Sequence, residues 1–284
     1  MRAASKPFAY PHVHTARIHA PSDDQRWPQP RGPAVRRIKS SPGKAQPQTH
    51  TIADILFTQG FGTRRDCVKL VHAGQVRVGG TLVDEPAAAF ATDGLTFEVS
   101  GEHWEYHASA LVLLHKPAGY ECSQKPSAWP SVLLLLPPPL RNRGVQSIGR
   151  LDQDTTGLLL LTDDGPLIHR LTAPKYKVPK TYEVVTAQPV QESEVQHLRD
   201  GVLLNDDPHP VCAERCEIVG PNALRLTLLQ GKYHQVKRML AAVGNHCVSL
   251  HRSSFGTLSL AAGSTPGQWR FVQPAERALL LARD

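Results

Sequence analysis

The sequence predicts an α+β protein, and three patterns in its 284 residues carry that prediction. Apolar runs of strand length at 111–114 and 158–162 are mixed with amphipathic stretches of helical period. No regular βαβ rhythm orders them, as it would in a parallel doubly wound sheet. A Gly79-Gly80 pair lies between two short strand-like runs, the signal of a tight hairpin.

Taken in order, residues 1–49 hold eight of the 24 prolines and no sustained period, so this stretch cannot bury enough apolar surface to offset chain entropy and reads as disordered. It is also basic, with nine Lys/Arg against Asp23 and Asp24. Of the 32 basic and 25 acidic residues, the rest of the chain keeps 23 of each, so the net charge of +7 sits in the arm and the body is formally neutral. A polyanion must therefore meet local basic clusters in the body, or the arm itself.

From Thr51 the pattern changes. Ile52, Ile55, Leu56 and Gln59 form a helical stripe that stops at Gly60. Thr63 and Asp66 have the spacing of a capping box, and a second helix over 64–73 turns Cys67, Leu70 and Val71 inward before Gly74 ends it. Strands at 75–78 and 81–83 flank the glycine pair. Arg64, Arg65, Lys69 and Arg77 surround this unit. Arg65 and Lys69 are four apart, so they share a helical face and could grip a phosphate together, the alternative being a solvated surface. A linker over 101–110 leads to strands at 111–114, 158–162, 181–185 and 224–228. Helices are expected at 192–199 and 233–243, the latter with Val236, Met239, Leu240 and Val243 on one stripe.

Composition excludes several classes. A mean hydropathy of −0.29 and apolar runs far short of the roughly 20 residues of a membrane span exclude a membrane protein. Five scattered cysteines are an odd number without a disulfide framework, which points to a reducing, cytoplasmic setting. Cys212 and Cys216 lack a second pair to complete a zinc set. Among the fourteen histidines, His12 and His14 fall in the arm, and His234, His246 and His251 have no matching carboxylate spacing. No metal and no cofactor are expected.

The chemistry concentrates in GRLDQDTTGLLLLTDDG at 149–165. Its turn holds Arg150, Asp152, Asp154, Thr155, Thr156 and Gly157 and feeds an apolar strand, so its carboxylates stand at a strand end where a rigid scaffold can aim them. Three readings fit: Asp152 caps its own turn; Asp152 pairs with Asp154, Asp163 or Asp164 as the two carboxylates of a glycosidic hydrolase; or Asp152 acts alone.

This stretch resembles the signature of the pseudouridine synthases. LLHKPAGYECS at 113–123, KTYEV at 180–184 and GKYHQVKRMLAAVGNHCVSLHR at 231–252 follow in the family's order, and their details are similar to the RsuA-type branch that acts on 16S ribosomal RNA. Residues 50–100 look like a small S4-type RNA-binding domain, so the similarity runs from about residue 51 to the C-terminus.

The resemblance implies a mixed, mainly antiparallel-sheet catalytic domain over 111–284 that isomerises a uridine to pseudouridine without metal or cofactor. By motif match, Asp152 is the catalytic aspartate, attacking C1′ or removing the 2′ proton. Lys237, off the apolar stripe of its helix, is its cationic partner, with Arg238 in reserve. Tyr182 lies against the target base, although on its strand it also reads as a core tyrosine beside Val184. Arg150 holds a phosphate, fills the space of the flipped base or makes a structural salt bridge. Lys180, Lys232, Gln235 and Arg238 join Arg64, Arg65, Lys69 and Arg77 as RNA contacts, and the arm adds non-specific affinity. The implied partner is 16S RNA, modified at uridine 516 in a partly assembled small subunit by a monomer. A 23S synthase of the same branch and a non-catalytic RNA-binding or assembly factor are the alternatives. His115 stands where the family commonly has asparagine, which alters contacts of that segment without touching the core chemistry.

Overall fold

In the computed structural model, residues 48–205 and 207–282 are described. The arm read over 1–49 thus lies outside the described residues as far as position 47.

A first unit is built from local signals. Thr49–Thr51 (β1) leads into Ile52–Thr58 (α1), where Thr51 Oγ1 accepts from Asp54 N at 3.1 Å. Thr63 and Asp66 close the reciprocal capping box that starts Arg64–His72 (α2). Val76–Val78 (β2) and Thr81–Leu82 (β3) form the hairpin, with Gly79 at φ 56° and Gly80 at φ 78°, the two positive values that a two-residue turn of matching twist demands. Ala89–Ala91 (β4) returns to pair with β1, and Thr96–Val99 (β5) and Glu102–Glu105 (β6) complete a four-stranded antiparallel sheet in the order β3-β2-β5-β6. Since β6 occupies 102–105, the connection between units is shorter than the expected 101–110 linker. Ile52, Ile55, Leu56, Cys67, Val71, Phe97 and Val99 fill a small core of their own.

The second unit follows as Leu111–Lys116 (β7), a 3-10 turn at Val132–Leu135, Pro138–Asn142 (α3), Gln146–Ser147 (β8), Thr156–Thr162 (β9), Gly165–Thr172 (α4), Lys180–Thr186 (β10) and Glu192–Asp200 (α5). Arg215–Gly220 (β11), Ala223–Leu228 (β12), Gln235–Ala242 (α6), Cys247–Phe255 (β13), Leu258–Ser259 (β14), Trp269–Phe271 (β15) and Pro274–Leu281 (α7) complete it. The main sheet runs β11-β12-β10-β13-β9-β7-β15, with β14 on β13 and β8 on β9. Every pairing is antiparallel except β13 with β9, parallel through His251↔Thr156 and Arg252↔Gly157. The architecture is the mixed, mainly antiparallel α+β class that the sequence predicts.

Both faces of this sheet are covered, which explains why β7 and β9 read as continuous apolar runs rather than alternating ones. Val112, Leu114, Leu159 and Leu161 pack on one face with Leu140, Val195, Leu198, Val236 and Met239. Leu111, Leu113, Leu158 and Leu160 pack on the other with Leu167, Leu171, Phe255 and Leu280. The β9–β13 pairing thereby fixes the start of β9, where the acidic turn lies. Among the described residues no helix is long and apolar enough to cross a membrane.

Candidate active site

The turn before β9 is moulded around a lysine. Lys116, at the end of β7, is fully buried, and its Nζ donates to the carbonyls of Pro117 (3.0 Å), Asp152 (3.0 Å), Gln153 (3.2 Å) and Thr155 (2.9 Å). Burial pushes its ammonium below the ordinary lysine range. With the carbonyls drawn inward, Thr155 N closes the turn on Asp152 O at 3.1 Å and Gly119 N donates to Gln153 O at 2.8 Å. Gly157 then lets β9 approach β13: at φ 111°, an added Cβ would lie 2.3 Å from Arg252 O.

Helix α6 faces this turn. Val236, Met239 and Leu240 bury its apolar stripe and leave Lys237 outward, as the periodicity predicts. Lys237 Nζ reaches Asp152 Oδ2 at 3.3 Å and donates to both oxygens of Asp154, at 2.7 and 2.8 Å. The expected cationic partner is therefore shared by two carboxylates. Burial lowers the Lys237 pKa, but the Asp154 hydrogen bond and the two negative charges outweigh it and leave the pKa raised. Burial likewise raises the Asp154 carboxyl, and the Lys237 contact more than reverses this, holding it below the usual range. Arg238, the reserve candidate, instead donates to Tyr233 O at 3.1 Å.

A residue that the sequence reading weighed only as a metal ligand meets the other oxygen. His234 Nε2 lies 3.3 Å from Asp152 Oδ1. It precedes α6 at φ 48°, one of three non-glycine residues with positive φ among those described, and its ring stacks on Tyr233 at 3.8 Å. That backbone conformation stores roughly 1–3 kcal/mol of strain, a level that clusters at functional sites. The motif GKYHQVKR contains His234, but its left-handed backbone has no signature in the sequence.

The paired-carboxylate alternatives at the far end of β9 fail on geometry. Asp163 accepts from Ala110 N and Arg143 Nε, and Asp164 caps α4 through Leu167 N. Seven residues of β9 separate them from the acidic turn, a span of about 20 Å.

A cavity of about 330 Å³ opens beside Asp152, lined also by Tyr182, Leu228, Leu250, Arg150, Lys180 and Arg252. Its size suits a single small ligand group. Tyr182 packs in the same core cluster as Val184 and also forms part of the cavity wall. Lys180 is buried; its Nζ donates to Val178 O at 2.7 Å, and burial, with Arg252 nearby, lowers its pKa to about 8. Arg150 is exposed at the rim with no acidic partner among the described residues, so no structural salt bridge explains it. Lys232 pairs with Asp207, and buried Gln235 accepts from Lys232 N at 2.8 Å. Those two side chains hold the loop before α6 in place.

In the first unit, Arg64 pairs with Asp54 and lies over the Phe57 ring, and Lys69 lies 3.6 Å from Asp66. Exposed Arg65 has no acidic partner among the described residues, and Arg77 donates to Gly80 O at 3.2 Å. His115 is buried, with Nδ1 3.2 Å from Ser264 O and its ring against His251. This substitution thus makes contacts inside the sheet. All five cysteines are free, Cys212 exposed and Cys216 in the core.

The chain is similar to known proteins over most of its length. A family model described as RNA pseudouridylate synthase matches residues 110–242. The ribosomal small subunit pseudouridine synthase A of Escherichia coli K12 is 42% identical over 226 residues, covering 79% of this chain and 97% of the relative. That of Vibrio cholerae is 35% identical, covering 76% and 93%. A crystal structure of a pseudouridylate synthase superposes with a TM-score of 0.58 at 32% identity, over 81% of this chain and 99% of the other.

Proposed function

The chain belongs to the RNA pseudouridylate synthases and is an isomerase of that family; from that premise we propose that it converts one uridine of small-subunit ribosomal RNA to pseudouridine, with Asp152 as the catalytic carboxylate. The observation that carries this reading is the convergence of Asp152, Lys237 and His234 on one cavity whose wall includes Tyr182. The small-subunit substrate follows the names of the relatives, and uridine 516 of 16S RNA is the target the branch leads us to expect.

The uridine leaves its stack and enters the cavity, where the Tyr182 ring replaces part of the lost stacking. Asp152 acts at the ribose, by attack on C1′ or by removal of the 2′ proton. The N1–C1′ bond breaks, the base turns, C5 joins C1′ as the bond to Asp152 breaks or the 2′ proton returns, and the C5 proton leaves to water while N1 gains one. Lys237 and His234, one on each oxygen of Asp152, hold the carboxylate in place for either route. Residues 50–100 act as an S4-like RNA-binding unit through Arg64, Arg65, Lys69 and Arg77, beside a catalytic domain over 111–284. Arg150, Lys180 and Arg238 contact RNA nearer the site. The substrate is a partly assembled subunit in the cytoplasm, and the enzyme works as a monomer.

Incubation with a small-subunit particle partly assembled on a 16S transcript tritiated at uridine C5 tests the reading. The wild type should release one tritium per RNA, with the product mapping to position 516, and Asp152→Asn should fall to background. Equal release by Asp152→Asn would remove Asp152 from the chemistry; modification confined to 23S RNA would reassign the substrate.

A further inference from the structure

Beneath Asp152 the cavity has an unusual floor. Arg252 is 2% exposed and lines the cavity. Its Nε donates to Leu158 O at 2.8 Å, while its Nη2 is buried without a hydrogen-bond partner among the described residues. Thr155 lines the same cavity at 1% exposure, and its Oγ1 is likewise buried and unpartnered. Lys180, also in the lining, has a backbone carbonyl as its one hydrogen-bond partner among the described residues.

Buried cations are normally met by carboxylates. Here no acidic side chain pairs with Arg252 or Lys180 among the described residues, and both cations lie near one aromatic ring, 5.3 and 5.2 Å from the Phe255 ring centre. Asp152 and Asp154 are already engaged above by Lys237 and His234. A positive, donor-rich floor with spare hydrogen-bonding capacity is complementary to an acceptor-rich, negatively charged ligand group.

We propose that Arg252, with Thr155 and Lys180, forms a binding floor for the negative charge that develops on the detached uracil. The inference rests on the synthase reading above. When the N1–C1′ bond breaks, its electron pair goes with the base, and the charge spreads over N1, O2 and O4. This holds whether Asp152 forms a bond to C1′ or the 2′ proton is removed, so both routes need the same stabilisation. When C5 then joins C1′, the bond to Asp152 breaks or the 2′ proton is returned, the C5 proton is lost to water, N1 gains a proton and the charge is discharged. A guanidinium suits this task because it stays ionised when desolvated and presents several donors in a fixed plane.

The test is single-turnover tritium release at saturating RNA, with RNA affinity measured separately. Arg252→Met should slow release by about 100- to 1,000-fold, the range for loss of one preorganised donor, with RNA affinity and circular dichroism unchanged. Arg252→Lys should recover part of the loss by restoring the cation. Thr155→Val, nearly isosteric, should slow release by about two- to tenfold, as for one neutral hydrogen bond. A folded Arg252→Met protein at the wild-type rate overturns the proposal. So does weakened RNA affinity at an unchanged saturating rate, since that assigns the floor to the RNA backbone. If Arg252→Met does not fold, Thr155→Val decides, and a wild-type rate for it overturns the proposal. No release by the wild type would instead overturn the synthase reading on this substrate.

Discussion

Lys180 and Arg252 are both withdrawn from water, and they answer that burial differently. Arg252 keeps its charge because a guanidinium does not deprotonate in a protein. The Lys180 ammonium is pushed down to about 8 by burial and, secondarily, by Arg252. Between about pH 8 and the ordinary lysine value of 10.5, the unfolded chain binds more protons at this position than the folded chain does. Stability from this group therefore rises with pH across that window. Activity should move the other way, because the floor loses a cation as the ammonium titrates. Single-turnover rates from pH 7 to 9 should decline through about 8 without a matching fall in unfolding temperature. Lys180→Met should be slow at all pH values and lack that decline. A rate and an unfolding temperature that fall together would attribute the loss to unfolding and refute the assignment.

At the scale of elements, the site depends on β9 and β13 lying in contact where the acidic turn begins. Gly157→Ala places a methyl group against the Arg252 backbone, at a φ that L-residues rarely adopt. Backbone cannot give way as a flexible side chain does, so the expected cost is at least about 2 kcal/mol. Denaturant unfolding should show that loss together with a drop in tritium release; unchanged stability would mean that the two strands can separate freely here. Much of this scale is legible in the sequence because the determinants are local. The Thr63–Asp66 box, the Gly79-Gly80 hairpin and the stripe of α6 each lie within one turn or a few residues, and each forms as read. Helix α4 escapes the reading because Asp164-Gly165-Pro166 looks like a turn, although Asp at the cap followed by Pro in the first turn is also how helices begin. Strand β6 escapes because Glu102, His103 and Glu105 give it no apolar alternation, its place being set by pairing with β5. For the same reason Asp152 and Lys237 could be given roles from motifs, whereas His234 and Arg252, though inside the 231–252 motif, could not. One depends on a backbone angle, the other on a strand pairing ninety-five positions away from Gly157.

The whole molecule joins two units through a small polar seam. Asn142 Nδ2 donates to Gly60 O at 2.9 Å, and Arg143 donates to both Gln59 Oε1 and Asp163 Oδ2 at 2.7 Å. Gln59 and the backbone of His107 exchange two further bonds at 3.1 Å. This seam links the first unit to the far end of β9, the strand whose near end follows Asp152. RNA gripped at α2 would thus be referenced to the turn that carries Asp152 through one rigid strand. Affinity need not come from the same place. Nine of the 32 basic residues fall within residues 1–47, while the chain beyond them is formally neutral, so the electrostatic part of RNA binding should reside disproportionately in that segment. Removing residues 1–47 should weaken RNA binding most at low salt. It should also make the log–log salt dependence shallower, by about 0.7 to 0.9 for each phosphate that the shortened chain no longer neutralises. Because Asp152, Lys237 and the cavity all lie beyond the cut, the single-turnover rate at saturating RNA should stay at the wild-type value. Filter binding across a potassium chloride series measures the slope. An unchanged slope would place the phosphate-binding cations on the body, with Arg65 and Lys69 the first substitutions to make there.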